Sequence, residues 1–335
     1  MPCNHENLTA SAWDDAERTI PAWYDCDDCP AFVHWSDHPD TPKLSSTPFP
    51  GSVRPTSKPG KRWNENGLIL YRGPSRLDGA EIVLIVTGLK RKTGNGKTGD
   101  LLQTWILRTD QKPGDAQRSG ADESICGQCP ARPYLKGKGG TGDCYVSMQG
   151  PSSVYQSFAK GRYRQATIGD IFDIAKRPLR MGSYGDPAAV PFEVWGRALF
   201  SAFHPLGHVQ DGEAIKARRA KGLTWTGYTH QWRDCDPRFR LVCMASADSE
   251  EDRERAVAEG WRTFRVVRGE EPGKLPGEFR CPSDPSWDRT HVPCETCGLC
   301  DGAASGARGR SPYIVTHGFR AKKEQRAVNA RLALA

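Results

Sequence analysis

Apolar positions along this chain come in short runs, and their spacing changes partway through. GLILYR (Gly67 to Arg72), AEIVLIVTGL (Ala80 to Leu89) and LLQTWILRT (Leu101 to Thr109) are rich in β-branched and aromatic residues and are separated by glycine-rich turns. That pattern predicts an antiparallel meander. From Arg180 onward the strand-like runs are LRMGSY, TWTGYTH, FRLVCMASAD, RTFRVV, EFRCP and YIVTHG, with PFEVWGRALFSAF and SEEDRERAVAEG of helical character between them. The second helix has Ser249 as N-cap, with Glu250, Glu251 and Asp252 in the first turn, where the helix dipole favours negative charge. Alternating strand and helix predicts parallel βα units. The expected fold class is therefore α/β: a partial parallel (β/α) barrel or open sheet preceded by an antiparallel meander, over residues 63–318.

Polar residues stand at the C-terminal ends of the candidate strands: Tyr184 and Asp186, Tyr228 and His230, Ser246 and Asp248, Arg265, Cys281 and His317. In barrels and open α/β sheets that edge carries the site. The turn KTGNGKTGD contains Gly96-Lys97-Thr98, but a phosphate loop needs glycine where Arg91 stands, so a hairpin turn is expected there.

Residues 1–39 carry Cys3, His5, Cys26 and Cys29 between short apolar-aromatic stretches. Residues 40–62, dense in Pro, Ser, Thr and Gly, read as a linker. Residues 319–335 form a basic tail.

Composition narrows the classes. Of 335 residues, 37% are hydrophobic and 26% charged, and no apolar stretch reaches a membrane span's length. The first residues lack the basic and then apolar run of a signal peptide. The expected location is the cytoplasm. Net charge is +7, but Met1 to Gly60 holds nine acidic against four basic residues, so the remainder is strongly basic. A nucleic-acid partner is allowed by that balance and not required by it.

Twelve cysteines in a chain expected to meet reducing conditions point to metal ligation rather than to disulfides. The C-terminal set is Cys281 followed by the tight run Cys294-x2-Cys297-x2-Cys300, which suits a [4Fe-4S] cluster or a tetrahedral zinc. In the middle set, Cys126 and Cys129 are followed by Cys144, so three thiols leave one position open. A fourth ligand, Cys235, Cys243 or a histidine, would close it. At the N-terminus, Cys3, His5, Cys26 and Cys29 have the ligand types of a small zinc-ribbon-like module, with His34 and His38 as alternatives to His5.

The ordered motifs GLILYRGPSRLDGAEIVLIVTGL, SGADESICGQCPARP, GDCYVSMQGPSSVY, LRMGSYGDPAAVP, GYTHQW, GWRTFRVV and CETCGLCDG resemble a cysteine-rich domain family of bacteriophages and prophages, over about Gly67 to Gly318. The resemblance brings no activity with it; it implies the host cytoplasm as the setting. A more distant similarity is to the partial barrels of radical S-adenosylmethionine enzymes. Cys126, Cys129, Cys144 and Tyr145 would stand for their three cysteines and aromatic, and Gly182 to Pro187 for their glycine-acidic motif. The cysteine spacing differs, being two and then fourteen here, and no glycine pair precedes Asp186.

Two functions follow as expectations. One is a metalloenzyme in which a [4Fe-4S] cluster on Cys126, Cys129 and Cys144 binds S-adenosylmethionine, with Tyr145, Gly182 and Tyr184 as cofactor contacts and Asp186, Tyr228, His230, Asp248 and Arg265 as the reacting edge. The other is a zinc-stabilised nucleic-acid-binding protein, in which the aromatics of WGRALF, YTHQWRDCDPRFR and GWRTFRVVR stack bases.

Overall fold

The structure is a computed structural model. It describes residues 63–92, 94, 96–200, 213–268, 273–287, 289–302 and 310–316, and the backbone of three strands nearer the N-terminus. The chain divides into two compact units, Met1–Lys58 and Pro59–Ala335. In the first, β1 (Leu8–Ala10), β2 (Trp23–Cys26) and β3 (Phe32–His34) pair antiparallel in that order. Cys26 ends β2, whereas Cys3, His5, Cys29 and His38 lie outside the described residues.

The second unit is mixed α/β with two five-stranded sheets. One contains β4 (Gly67–Pro74), β5 (Glu81–Thr87), β6 (Leu102–Arg108), β7 (Leu179–Tyr184) and β8 (Trp225–Thr226), in chain order. Its first three strands form the antiparallel meander; β6, β7 and β8 then run parallel. Ile82 to Val86 of β5 are all fully buried, which explains why that segment is an unbroken apolar run and not an alternating one.

The other sheet is wholly parallel. It contains β9 (Tyr228–Thr229), β10 (Met244–Ala247), β11 (Thr263–Val267), β12 (Glu278–Arg280) and β13 (Ser311–Val315), in the order β12-β13-β11-β10-β9. A single residue, Gly227, separates β8 from β9. Its N–H donates to the Cys300 carbonyl (3.2 Å), and its carbonyl accepts from Met244 N–H (2.8 Å). A Cβ there would lie 2.6 Å from Cys243 Sγ and 3.1 Å from both Met181 Sδ and the Val242 carbonyl. Only glycine lets the chain pass so closely from one sheet to the next.

The helix Glu250–Ala258 begins as its sequence predicts, with Ser249 Oγ accepting from Asp252 N–H (3.0 Å). PFEVWGRALFSAF supplies the helix Phe192–Phe200. FRLVCMASAD departs from expectation, because its strand is only Met244–Ala247 and Phe239 to Leu241 lie in the 3-10 turn Pro237–Leu241. Asp236 starts that turn by accepting from Arg238 N–H (2.9 Å), and Pro237 fixes a helical φ at its first position. Phe239 then packs edge-to-face on Phe192 at 5.3 Å between centroids.

Among the described residues no helix is long and apolar enough to cross a membrane.

Candidate functional site

Because β7 to β13 include so many parallel strands, their C-terminal ends open toward one place, and a cavity of about 860 Å³ lies there. Tyr184 and Asp186 reach it from β7, Tyr228 and His230 from β9, and Ser246 and Asp248 from β10. Cys281 enters after β12 and Thr316 after β13. The cavity also collects the cysteines. Of the nine whose side chains are described, seven line it: Cys126, Cys129, Cys144, Cys281, Cys294, Cys297 and Cys300. Sets separated by more than a hundred residues in the chain thus share one space. Cys235 and Cys243 are outside the lining, and Cys243 is fully buried in the core.

The middle set is held by its loop. Glu123–Cys126 is one helical turn, left at Gly127 with φ +50°, where a Cβ would strike the Gln231 amide. That amide clamps the loop. Its oxygen accepts from Gln128 N–H (3.1 Å), while its nitrogen donates to the Cys126 carbonyl (3.1 Å) and the Asp186 carboxylate (3.4 Å). Buried Arg132 adds a second clamp, donating to Asp122 (3.0 Å) and the Gly127 carbonyl (3.0 Å). Cys144 returns to the pair because its N–H donates to the Ala131 carbonyl (2.7 Å). The Cys126 thiol is pushed well up, by burial first and then by the charges of Cys129, Asp122 and Cys144. Tyr145, expected to touch a cofactor, lines the cavity but is 67% exposed.

Beside this set stands His230, with Nε2 3.9 Å from Cys129 Sγ and 3.3 Å from Asp248 Oδ2. Burial alone would lower the imidazole pKa; the Cys129 charge and the Asp248 hydrogen bond outweigh it and hold it well above the ordinary value. Asp248 also lies 3.7 Å from Arg268. Asp186 is used differently. Its oxygens accept backbone N–H groups from Ala188 (3.0 Å) and His230 (2.8 Å), so it staples the His230 loop to the end of β7. Gly182 lines the cavity at φ +64°, where a Cβ would sit 2.5 Å from the Gly185 carbonyl.

The C-terminal set is strapped from several sides. Cys281 N–H donates to the Tyr313 carbonyl (2.8 Å), and Cys294 and Glu295 N–H donate to the carbonyls of Lys97 (3.0 Å) and Thr98 (3.2 Å). Thr224 Oγ1 donates to the Glu295 carbonyl (2.8 Å). Buried Arg262 donates to the carbonyls of Leu299 and Gly302, both at 2.8 Å, and pairs with Asp301 at 3.3 Å. Burial raises Cys281 to about 11 and Cys300 well above the ordinary thiol value. Each of the two is also raised by the charges of Cys294 and Cys297. Tyr228 lines the cavity with Cys300, and its hydroxyl is pushed well up, by burial first and then by the Cys300 charge. Among the described residues no three His, Cys, Asp or Glu side chains are gathered closely enough to hold a metal ion as they stand.

Arg265 belongs elsewhere. Along β11, Phe264 and Val266 face the cavity, and successive side chains alternate, so Arg265 faces away. It is 2% exposed and engages Glu278 with Nε at 3.0 Å and Nη2 at 2.7 Å. The cavity's cation on this strand is instead Arg268, just past its end. His317 lies outside the described residues.

Lys97, Arg180 and Gln231 were not singled out by the sequence. Lys97 and Arg180 line the cavity near Cys281 and Cys294. Burial pulls the Lys97 ammonium below its ordinary value; the Cys281 and Cys294 charges oppose this and Arg180 adds to it.

No protein-family profile, curated protein or solved structure matches this chain.

Proposed function

We propose that this chain is a phage-type metal-binding protein whose two sheets make a partial barrel, with iron-sulfur chemistry in the cavity at the strand ends. The observation that carries this reading is that seven cysteines from two distant sequence sets line one cavity beside His230, Asp248 and Tyr228. Cys281, Cys294, Cys297 and Cys300 would hold one cluster. Their donor chemistry fits: four thiols line one wall of the cavity, with the phenol of Tyr228 in the same lining. A cube has one iron under each thiolate and so needs its donors spread more widely than a single ion does.

Cys126, Cys129 and Cys144 would hold a second group with an open position, where a small cofactor such as S-adenosylmethionine binds in the manner of radical S-adenosylmethionine enzymes. Iron-sulfur clusters supply electron transfer; the protein's part is positioning and proton placement. Asp186 orients the His230 backbone. His230 and Asp248 hold a proton at Nε2 facing the cavity, Tyr228 lines the cavity with Cys300, and Tyr145 stands at the exposed rim. Equilibrium dialysis of S-adenosylmethionine against anaerobic protein tests the open position. One equivalent should bind to the wild type and none to a Cys126→Ser/Cys129→Ser variant; equal binding to both would refute the assignment.

For the second reading, a zinc-stabilised nucleic-acid-binding protein, base stacking would fall to few of the aromatics in the three basic runs: Trp195, Phe200, Trp232, Phe239 and Trp261 are each 8% exposed or less, whereas Tyr228 and Phe264 line the cavity.

A further inference from the structure

We propose that Lys97 and Arg180 form an oxyanion-binding subsite in the cavity wall, which receives the phosphate or carboxylate head of a small ligand with an apolar or aromatic body. The inference deepens the proposed function, since it rests on the cavity being the ligand site.

The backbone fixes both cations. Arg180 sits in β7 between Gln103 of β6 and Thr226 of β8, and its carbonyl accepts from Thr104 Oγ1 (2.8 Å). Its neighbours Leu179 and Met181 are fully buried on the opposite face, so the guanidinium is left on the cavity side. There, among the described residues, it makes neither an ion pair nor a hydrogen bond. Lys97 approaches from the β5–β6 turn, held where its carbonyl accepts from Cys294 N–H.

The acids and thiols around Arg180 do not pair with it. Asp284 is committed to Arg280 (2.8 Å) and to Ser286 (2.6 Å). On the proposed reading, Cys281 and Cys294 give their charge to a metal group. Asp248, across the cavity, is shared by His230 and Arg268. An unpaired guanidinium with an ammonium close by is the donor set that takes an oxyanion. Next to it the wall turns apolar: Phe264 and Val266 of β11, Phe279 of β12 and Ile314 of β13 line the same space, with Tyr228 edge-on to Phe264 at 4.8 Å. A charged head beside an apolar wall defines the ligand class.

Equilibrium dialysis of inorganic phosphate, and separately of acetate, against the full-length protein tests this. One equivalent of one of the two should bind to the wild type, and the stronger binder identifies the head group. Arg180→Gln and Lys97→Gln should each weaken it by about tenfold or more, the loss of one charge-assisted hydrogen bond. Arg180→Lys should retain part of the affinity, and the exposed control Lys176→Gln all of it. If neither anion binds to the wild type, or binding is unchanged in both Gln variants, the subsite is refuted. Should Arg180→Gln not fold, the wild-type result and Lys97→Gln still decide. Iron and zinc content is measured on the same samples. Full metal with no anion binding removes the subsite alone, and anion binding without metal removes the metal reading alone.

Discussion

The two cysteine walls of the cavity differ in what surrounds the sulfur. Around Cys281, Cys294, Cys297 and Cys300 the backbone is tied down on all sides, and buried Arg262 closes the end of the run through three contacts. Around Cys126, Cys129 and Cys144 the side-chain ties are one glutamine amide and one arginine, beside backbone bonds from Cys144 to Ala131 and from Asp186 to Ile125; His230, paired with Asp248, stands against Cys129, and the rim residue is an exposed tyrosine. A thiol wall locked into the sheets suits a group that stays put. A wall facing a proton-carrying pair and an open rim suits a group that meets a ligand. Position relative to the sheets, more than cysteine count, separates the two roles.

The largest expected effect separates the walls by stability. Cys297→Ser should cost on the order of 4 kcal/mol or more and strip metal, because on the proposed reading metal-binding energy there is folding energy. Cys129→Ser should cost much less and abolish cofactor binding instead. Equal melting temperatures for the two variants would erase the distinction. Next, the clamps themselves can be compared by denaturant unfolding. Arg262→Leu leaves the Leu299 and Gly302 carbonyls without their donor and should cost about 3 kcal/mol, whereas Gln231→Leu should cost about 1–3 kcal/mol and loosen only the Cys126 loop. The reverse order would contradict the account.

Gly227→Ala places a methyl against Cys243 and Met181 at the passage between the sheets, and should cost about 1–3 kcal/mol. Gly94→Ala, with nothing within 4 Å, should stay within about 0.5 kcal/mol. Similar melts for both would mean that the junction is slack.

The smallest effect is one of pH, in metal-free protein. His230 has a folded pKa well above its unfolded value, so its contribution to stability is complete below about pH 6.5 and is lost as pH rises through the folded value. Asp248→Asn removes one of the causes of that rise. The loss should then shrink and move to lower pH, by about 1 kcal/mol or less at the acidic plateau. An unchanged stability profile would show that Asp248 does not hold the proton.

Much of this was legible in the chain. The meander, the parallel strands after Arg180 and the Ser249 cap follow from local periodicity and cap chemistry, and so does the edge at which Tyr184, His230 and Asp248 emerge. Arg265 was misplaced although the signal was present: Phe264 and Val266 share a face two residues apart, and Arg265 must take the other. Lys97 is a different kind of miss. Its place depends on a hydrogen bond from Cys294, nearly two hundred residues away, and no local pattern encodes that. Gln231 is similar, since an amide following His230 reads as a loop residue until the Cys126 loop closes on it. Cys235 and Cys243, which had been open as fourth ligands, do not line the cavity: Cys243 is buried in the core and Cys235 is half-buried in the loop after Gln231, which their spacing does not reveal.

The central claim is that the thiol-lined cavity holds iron-sulfur chemistry, and the direct measurement is iron and acid-labile sulfide per chain after anaerobic purification, in wild type and in Cys297→Ser. The account predicts brown wild-type protein with iron and sulfide in equal amounts, and a variant in which both fall together. Colourless wild-type protein that carries zinc and no sulfide, with the zinc lost from Cys297→Ser, would contradict it.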